Sequence, residues 1–443
     1  MKRARANPPG KLGRRAFVGT LFASAAGAAF GRTPVGGTLR LTLPFGGGRL
    51  DPHAADEPLA ALFGPAVADP LFALDGNGRP YPTLASSLPE RTAKGARVVL
   101  RPGLVSARGK RLDARDVLFS WSRAQKQGGA AVLAELPVPL ADPTDPLAVN
   151  VPGADVNAVA LALASPLTAL VPRGFSPAAP DGTGAFRASV SERSLLFEQN
   201  TNAARGAAFL GRIEVTLVLD LAEALRAFEA DRADLGWLGG GLHRSRAGSV
   251  AFEGPSVGWV VLRTGRDAGR WGAPGIAQQL LDRIPREPLR PFGIVLPATG
   301  GPGAIWGGGD AELLSSSDVP QLVRAAETLA TLLSAPGQRV TSRPVARAEF
   351  EARRASGRFS LLLDFVRSAG PPGRTTLLSL LAAASPELAA RPPRMTSYEP
   401  SEIARTLPLG VVGALRVTGA RIPELSGLEA WQLGSVFRVA RAG

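Results

Sequence analysis

Only two residues in the chain could act as imidazole bases or ligands, His53 and His243, and there is no cysteine. Disulfides, thiolate metal sites, thiol catalysis and an N-terminal lipoprotein cysteine are therefore excluded, and a multi-histidine metal site cannot be built. Each histidine is expected on a surface or in a loop. Gly103–Lys110 superficially resembles a phosphate loop, but five residues separate its glycines where four are needed. Arg111 also stands where a Ser or Thr should hold magnesium. Gly301-Pro302-Gly303 leads to Trp306 where a dinucleotide fingerprint needs glycine or alanine. No G-x-S-x-G elbow, S-x-x-K or H-E-x-x-H is present. The carboxylate pairs Asp113/Asp116 and Asp220/Glu223 read as helix caps, not as acid–base pairs. No catalytic residues, cofactor or metal are expected, and the chain is read as a non-enzyme.

Apart from these negatives, 443 residues exceed one ordinary core, and 45% hydrophobic residues can fill two or three lobes. The formal charge is +14. Lys2, Arg3, Arg5, Lys11, Arg14 and Arg15 precede the first acid, and removing those six charges leaves +8. The remaining arginines are scattered among acids, without the basic stripe and interleaved aromatics of a nucleic-acid footprint. Nucleic acid is not an expected partner.

The first 30 residues divide into a basic stretch, an apolar run over Ala16–Phe30, and small residues at Ala26-Gly27-Ala28. This is the anatomy of an export signal. Arg14-Arg15 before Ala16-Phe17-Val18 suggests the twin-arginine type, with an ordinary secretory signal as the alternative. The apolar run is shorter than the roughly 20 residues of a membrane-spanning helix. The mature protein is expected to be periplasmic or extracytoplasmic, and not a lipoprotein.

Thr38–Phe45 alternates Leu39, Leu41 and Leu43 and predicts a half-buried strand, as do Ile213, Val215, Leu217 and Leu219. Further strands are expected over Arg97–Arg101, Val257–Leu262, Arg339–Val345 and Phe359–Val366. Helices are expected over Glu57–Val67, after Asp113, after Asp220, from Asp318 to Gly337, and over Glu349–Ser356. Asp75-Gly76-Asn77-Gly78 is a tight turn. Strands alternating with helices make the fold class mixed α/β.

The ordered motifs resemble extracellular solute-binding protein family 5, the peptide, nickel and oligosaccharide class that serves ABC importers. They begin with Gly36-Gly37-Thr38-Leu39-Arg40, Leu50-Asp51-Pro52 and Asp69-Pro70-Leu71-Phe72. Pro80-Tyr81-Pro82-Thr83-Leu84-Ala85 follows, then Val98-Val99-Leu100-Arg101-Pro102-Gly103 leading to Leu112-Asp113-Ala114-Arg115-Asp116-Val117-Leu118-Phe119-Ser120. Gly182-Thr183-Gly184-Ala185-Phe186 and Ala233-Asp234-Leu235 complete the series. The resemblance implies a two-lobed periplasmic-binding-protein-like fold with an extra subdomain and a central ligand cleft. It implies lobe I from 36–50, 181–260 and 410–443, an inserted subdomain over 51–180, and lobe II over 261–409. It implies a monomer that captures a small solute or peptide and delivers it to an ABC permease complex, in transmembrane transport. The alternative is a similar domain with a degenerate pocket, kept for signalling or scaffolding.

The family's acidic segment after the late strand is replaced here by Arg367-Ser368-Ala369-Gly370-Pro371-Pro372. A peptide amine therefore loses its expected counter-charge. In such a fold, loops at strand ends line the cleft. The candidate ligand-binding residues are Phe45, Arg49, Trp237, Gly239, Gly240, Trp306, Asp364 and Arg367.

Overall fold

The computed structural model describes residues 35–47, 49–237, 248–295, 302–384, 386–428, 431–435 and 437–438. The expected export signal, His243, Gly239 and Gly240 lie outside the described residues. Among the described residues no helix is long and apolar enough to cross a membrane.

The chain opens with β1 (Thr38–Leu43), and the three leucines predicted to face inward are all buried. After α1 (Pro58–Val67) comes the hairpin of β2 (Phe72–Leu74) and β3 (Pro80–Pro82). Its turn is the predicted one: the Asp75 carboxylate accepts the Asn77 N–H at 2.9 Å, and Gly78 has φ 75°. A separate sheet follows, from β4 (Glu90–Thr92), β5 (Gly95–Val99), β6 (Leu140–Ala141) and β7 (Ala148–Pro152), in the order β4-β5-β7-β6. α2 (Ala114–Lys126), α3 (Ala130–Leu133) and α4 (Val156–Ala162) accompany it. Val98, Val151, Val117, Trp121, Leu133 and Val159 belong to one apolar core there. α2 carries the expected Asp113 cap, completed as a capping box in which Asp116 accepts the Asp113 N–H at 2.9 Å.

The main sheet begins again with β8 (Phe186–Val190) and β9 (Ser194–Gln199), then β10 (Arg212–Leu217), α5 (Leu221–Glu229), β11 (Leu235–Trp237) and β12 (Val250–Thr264). Next come α6 (Ile276–Arg283), β13 (Ile294–Val295), β14 (Ala311–Ser316), α7 (Pro320–Leu333), β15 (Val340–Val345), α8 (Arg347–Ser356) and β16 (Leu361–Arg367). α9 (Arg374–Ala384) and β17 (Leu409–Arg421) follow. The strand order is β15-β14-β16-β12-β17-β11-β1-β10-β9-β8, with β13 beside β17. One half is built on β1, whose two neighbours β10 and β11 run parallel to it. The other is built on β14, parallel to both β15 and β16. The long antiparallel strands β12 and β17 join them, in register from Val250↔Arg421 to Arg263↔Leu409 with three bulges. The expected mixed α/β class with two lobes is what the chain adopts.

Several boundaries differ from expectation. Asp318 does not cap α7. Pro320 takes the first helical position, where its missing N–H costs nothing and its fixed φ suits a helix start, and Val319 before it has no polar atom with which to cap. The helix ends at Leu333, and Gly337 (φ 77°) instead lies in the turn that leads to β15. The Val257–Leu262 strand is the middle of the longer β12, which bulges around Gly254-Pro255.

Candidate functional site

The parallel strands at the centre of each half end at the same place. The loop after β1 carries Phe45 and Arg49, and the loop after β14 carries Asp318. The Gly46 N–H donates to the Asp318 carbonyl at 2.6 Å, joining the two loops through backbone. Beside this contact lies a polar cavity of about 490 Å³, with a smaller, more apolar one of about 50 Å³ sharing its wall. Phe45, Leu59, Leu322 and Phe350 line the smaller space. Ligands of open parallel sheets bind outside the carboxyl ends of the strands, so the position is the one this topology favours.

The larger cavity is walled by charge. α8 presents Arg347, Glu351 and Arg354, spaced four and three apart and so on one helical face. Across the cavity, the segment entering α1 presents Asp56 and Glu57. Arg354 pairs with Asp56 at 2.5 Å, and Arg347 pairs with Glu57 and, at 2.7 Å, with Glu351. On β16, Asp364 pairs with Arg263 of β12 at 3.3 Å and with Arg354 at 3.6 Å. Two ion pairs therefore cross from α8 to the segment before α1. Burial pushes the Glu57 carboxyl upward, against the opposing pull of Arg347. Burial alone would lower the Arg354 guanidinium, but Asp364 and Asp56 outweigh it and raise it.

Of the residues expected at the cleft, Phe45, Arg49 and Asp364 come together there. Arg367 does not reach the cavity. It is buried, its Nη1 donates to the Pro52 carbonyl at 2.6 Å, and burial lowers its pKa to about 10. Trp306 is likewise enclosed: its ring lies 5.5 Å from that of Trp271, and its Nε1 donates to the Gly309 carbonyl at 2.7 Å. Trp237 ends β11, paired in register with Gly419 of β17. His53, expected in a loop or on a surface, is fully buried. Its Nε2 lies 2.7 Å from the Ala169 carbonyl, which fixes that nitrogen as the donor. Nδ1 is then free to accept from Arg123 at 2.9 Å.

Asp56, Glu57, Arg263, Arg347, Glu351 and Arg354 were not anticipated. The Arg347–Glu351–Arg354 spacing was the available signal, since it places three charges on one face of a short helix beside a strand end. Among the described residues no cluster of three or more potential ligands could hold a metal.

No family model matches the sequence, and no curated protein matches it. Solved structures do. The oligopeptide-binding protein AppA from Bacillus subtilis, solved with a nonapeptide, aligns at a TM-score of 0.66 and 13% identity, over 92% of this chain and 100% of that one. DppA from Helicobacter pylori, an ABC transporter-associated periplasmic binding protein solved with a peptide, gives 0.70 and 12%, over 92% and 99%. NikA from Staphylococcus aureus, in complex with Ni(L-His)2, gives 0.68 and 13%, over 91% and 99%. The chain has the fold of these two-lobed binding proteins.

The motifs that carried the resemblance hold the fold together. Thr183 donates to Asp69 at 3.0 Å, and the Gly184 N–H donates to the Val67 carbonyl at 2.8 Å. A Cβ on Gly184 would stand 2.5 Å from the Ala66 carbonyl oxygen, so only glycine fits this crossing.

Proposed function

We propose that this chain is the exported solute receptor of an ABC importer. It binds a small solute in the cavity between its halves and presents the closed form, as a monomer, to a membrane permease outside the cytoplasm. It performs no chemistry on its guest. The observation that carries this reading is the polar cavity at the ends of β1, β14 and β16, bridged by Arg354–Asp56 and Arg347–Glu57. A guest there touches both halves only when they are together, so binding shifts the population toward closure. Among the neighbours in this fold, AppA and DppA are binding proteins solved with peptides and NikA was solved with a nickel–histidine complex. The cavity's volume lies within the roughly 300–1,000 Å³ of small-molecule sites. This argues against a pocket lost to degeneration.

Native mass spectrometry of the protein purified from its producing cell is the direct test. A stoichiometric small molecule retained in the folded protein and released on unfolding is expected. A uniformly ligand-free protein that no solute stabilises in a thermal-shift screen, or one that converts a solute into product, ends the proposal.

A further inference from the structure

Resting on the receptor reading, we infer that the cleft selects solutes bearing negative charge, with a carboxylate or phosphate oxyanion as the recognised group. The pairing of charges around the larger cavity carries this. Each of its five carboxylates already has an arginine. Asp51 accepts two bonds from Arg123 at 2.5 and 2.7 Å. Asp56 is held by Arg354, and Glu57 and Glu351 by Arg347. Asp364 is held by Arg263 and Arg354. A protonated amine entering the cavity would have to displace a guanidinium from a carboxylate, several of them buried, before gaining a counter-charge.

The cations are not all so occupied. Arg49, on the loop after β1, and Lys126, at the end of α2, line the same cavity. Among the described residues neither side chain makes a hydrogen bond or a close ion pair; Arg49 only adds, from a distance, to the pull on the Glu57 carboxyl that Arg347 already holds. They stand on separate elements, so an oxyanion between them would be held from two directions. Charge-assisted bonds to a carboxylate or phosphate are roughly twice as strong as neutral ones. The smaller adjoining space shares Arg49 and the paired charges with the larger one and adds Phe45, Leu59, Leu322 and Phe350 to the wall, so apolar surface lies directly beside the free cation. The absence of a free acid at the late strand thus fits a change of ligand charge and not a loss of binding.

The test is thermal shift and calorimetry of the mature protein with glutarate, glycerol 3-phosphate, 1,5-diaminopentane and glycerol. The same four are applied to the Arg49→Gln/Lys126→Gln double variant, after confirming that its ligand-free melting matches the parent. Glutarate or glycerol 3-phosphate, or both, should stabilise the parent, the stronger of the two identifying the oxyanion. The double variant should bind that probe at least about tenfold more weakly. Equal oxyanion binding by the double variant overturns the inference, because the anion then sits elsewhere. Stabilisation only by the diamine or glycerol, or a co-purified ligand without negative charge, overturns it while leaving the receptor reading intact. No stabilisation by any of the four, with no co-purified ligand, overturns the inference, and the receptor reading falls with it when the wider thermal-shift screen is empty as well.

Discussion

Asp51, His53 and Arg123 form a buried unit at the root of the cleft. Arg123 links α2 to the segment after β1, so the unit ties separate parts of the chain together. Burial would raise the Asp51 carboxyl, but the Arg123 bonds outweigh it and hold it below the ordinary aspartate value. Asp51→Ala leaves Arg123 without its counter-charge, and a loss of about 3 kcal/mol is expected in urea unfolding. His53 titrates the other way from a paired histidine. Burial, with Arg123 and Arg367 nearby, lowers its pKa from 6.5 to about 4, against the opposing pull of the Ala169 carbonyl and Asp51. The unfolded chain therefore takes up a proton first as pH falls. The contribution is complete above about pH 6.5 and is lost progressively down to about pH 4. His53→Gln should flatten the stability–pH profile in that window, and an unchanged slope would remove the role. Sequence alone could not place this ring indoors, because its partners Arg123 and Ala169 lie far along the chain.

At the scale of elements, local signals were legible where the chain's own neighbours decide the outcome. The Asp113/Asp116 cap was readable because both halves of the motif sit within four residues. Asp113→Ala should cost about 1 kcal/mol, measured by denaturant unfolding, with α2 otherwise retained. β1 and β10 were readable because alternating leucine, isoleucine and valine face one side. β17 was not. Its first five residues are all buried without alternation, Gly410 and Gly413 interrupt that apolar run, and in-and-out alternation begins only after it. Those glycines are there because α6 and β13 press against them: a Cβ at either would fall within about 2.7 Å of neighbouring atoms. The charged face of α8 was equally hidden. Its helix was anticipated from Glu349, which left out Arg347, the residue that reaches Glu57.

For the whole molecule, if the proposed closure operates, the two ion pairs between α8 and the Asp56-Glu57 segment would hold the closed arrangement without any guest. Arg347→Ala/Arg354→Ala should shift the equilibrium toward open forms by on the order of 2 kcal/mol, about a thirtyfold change in their ratio. Small-angle scattering of the ligand-free variant should report a larger radius of gyration than the parent. Identical curves would show that the backbone contact between Gly46 and Asp318 suffices alone. Because Glu57 is only 6% exposed, moderate salt should not reproduce the effect in the parent. The two-lobed plan was visible in sequence through its ordered motifs. The residues lining the larger cavity were not, since they come from six separated stretches of chain.

The strand β17 is made late yet lies in the middle of the sheet, between β11 and β12. Until residue 409 and its successors leave the ribosome, the sheet exists as two pieces, each with a naked border where β17 belongs. Such borders invite pairing with other chains, and contacts across so long a separation form slowly. A nascent chain of this protein thus needs shielding through most of its synthesis. A product truncated before residue 409 should accumulate as oligomers, not as a soluble half-protein.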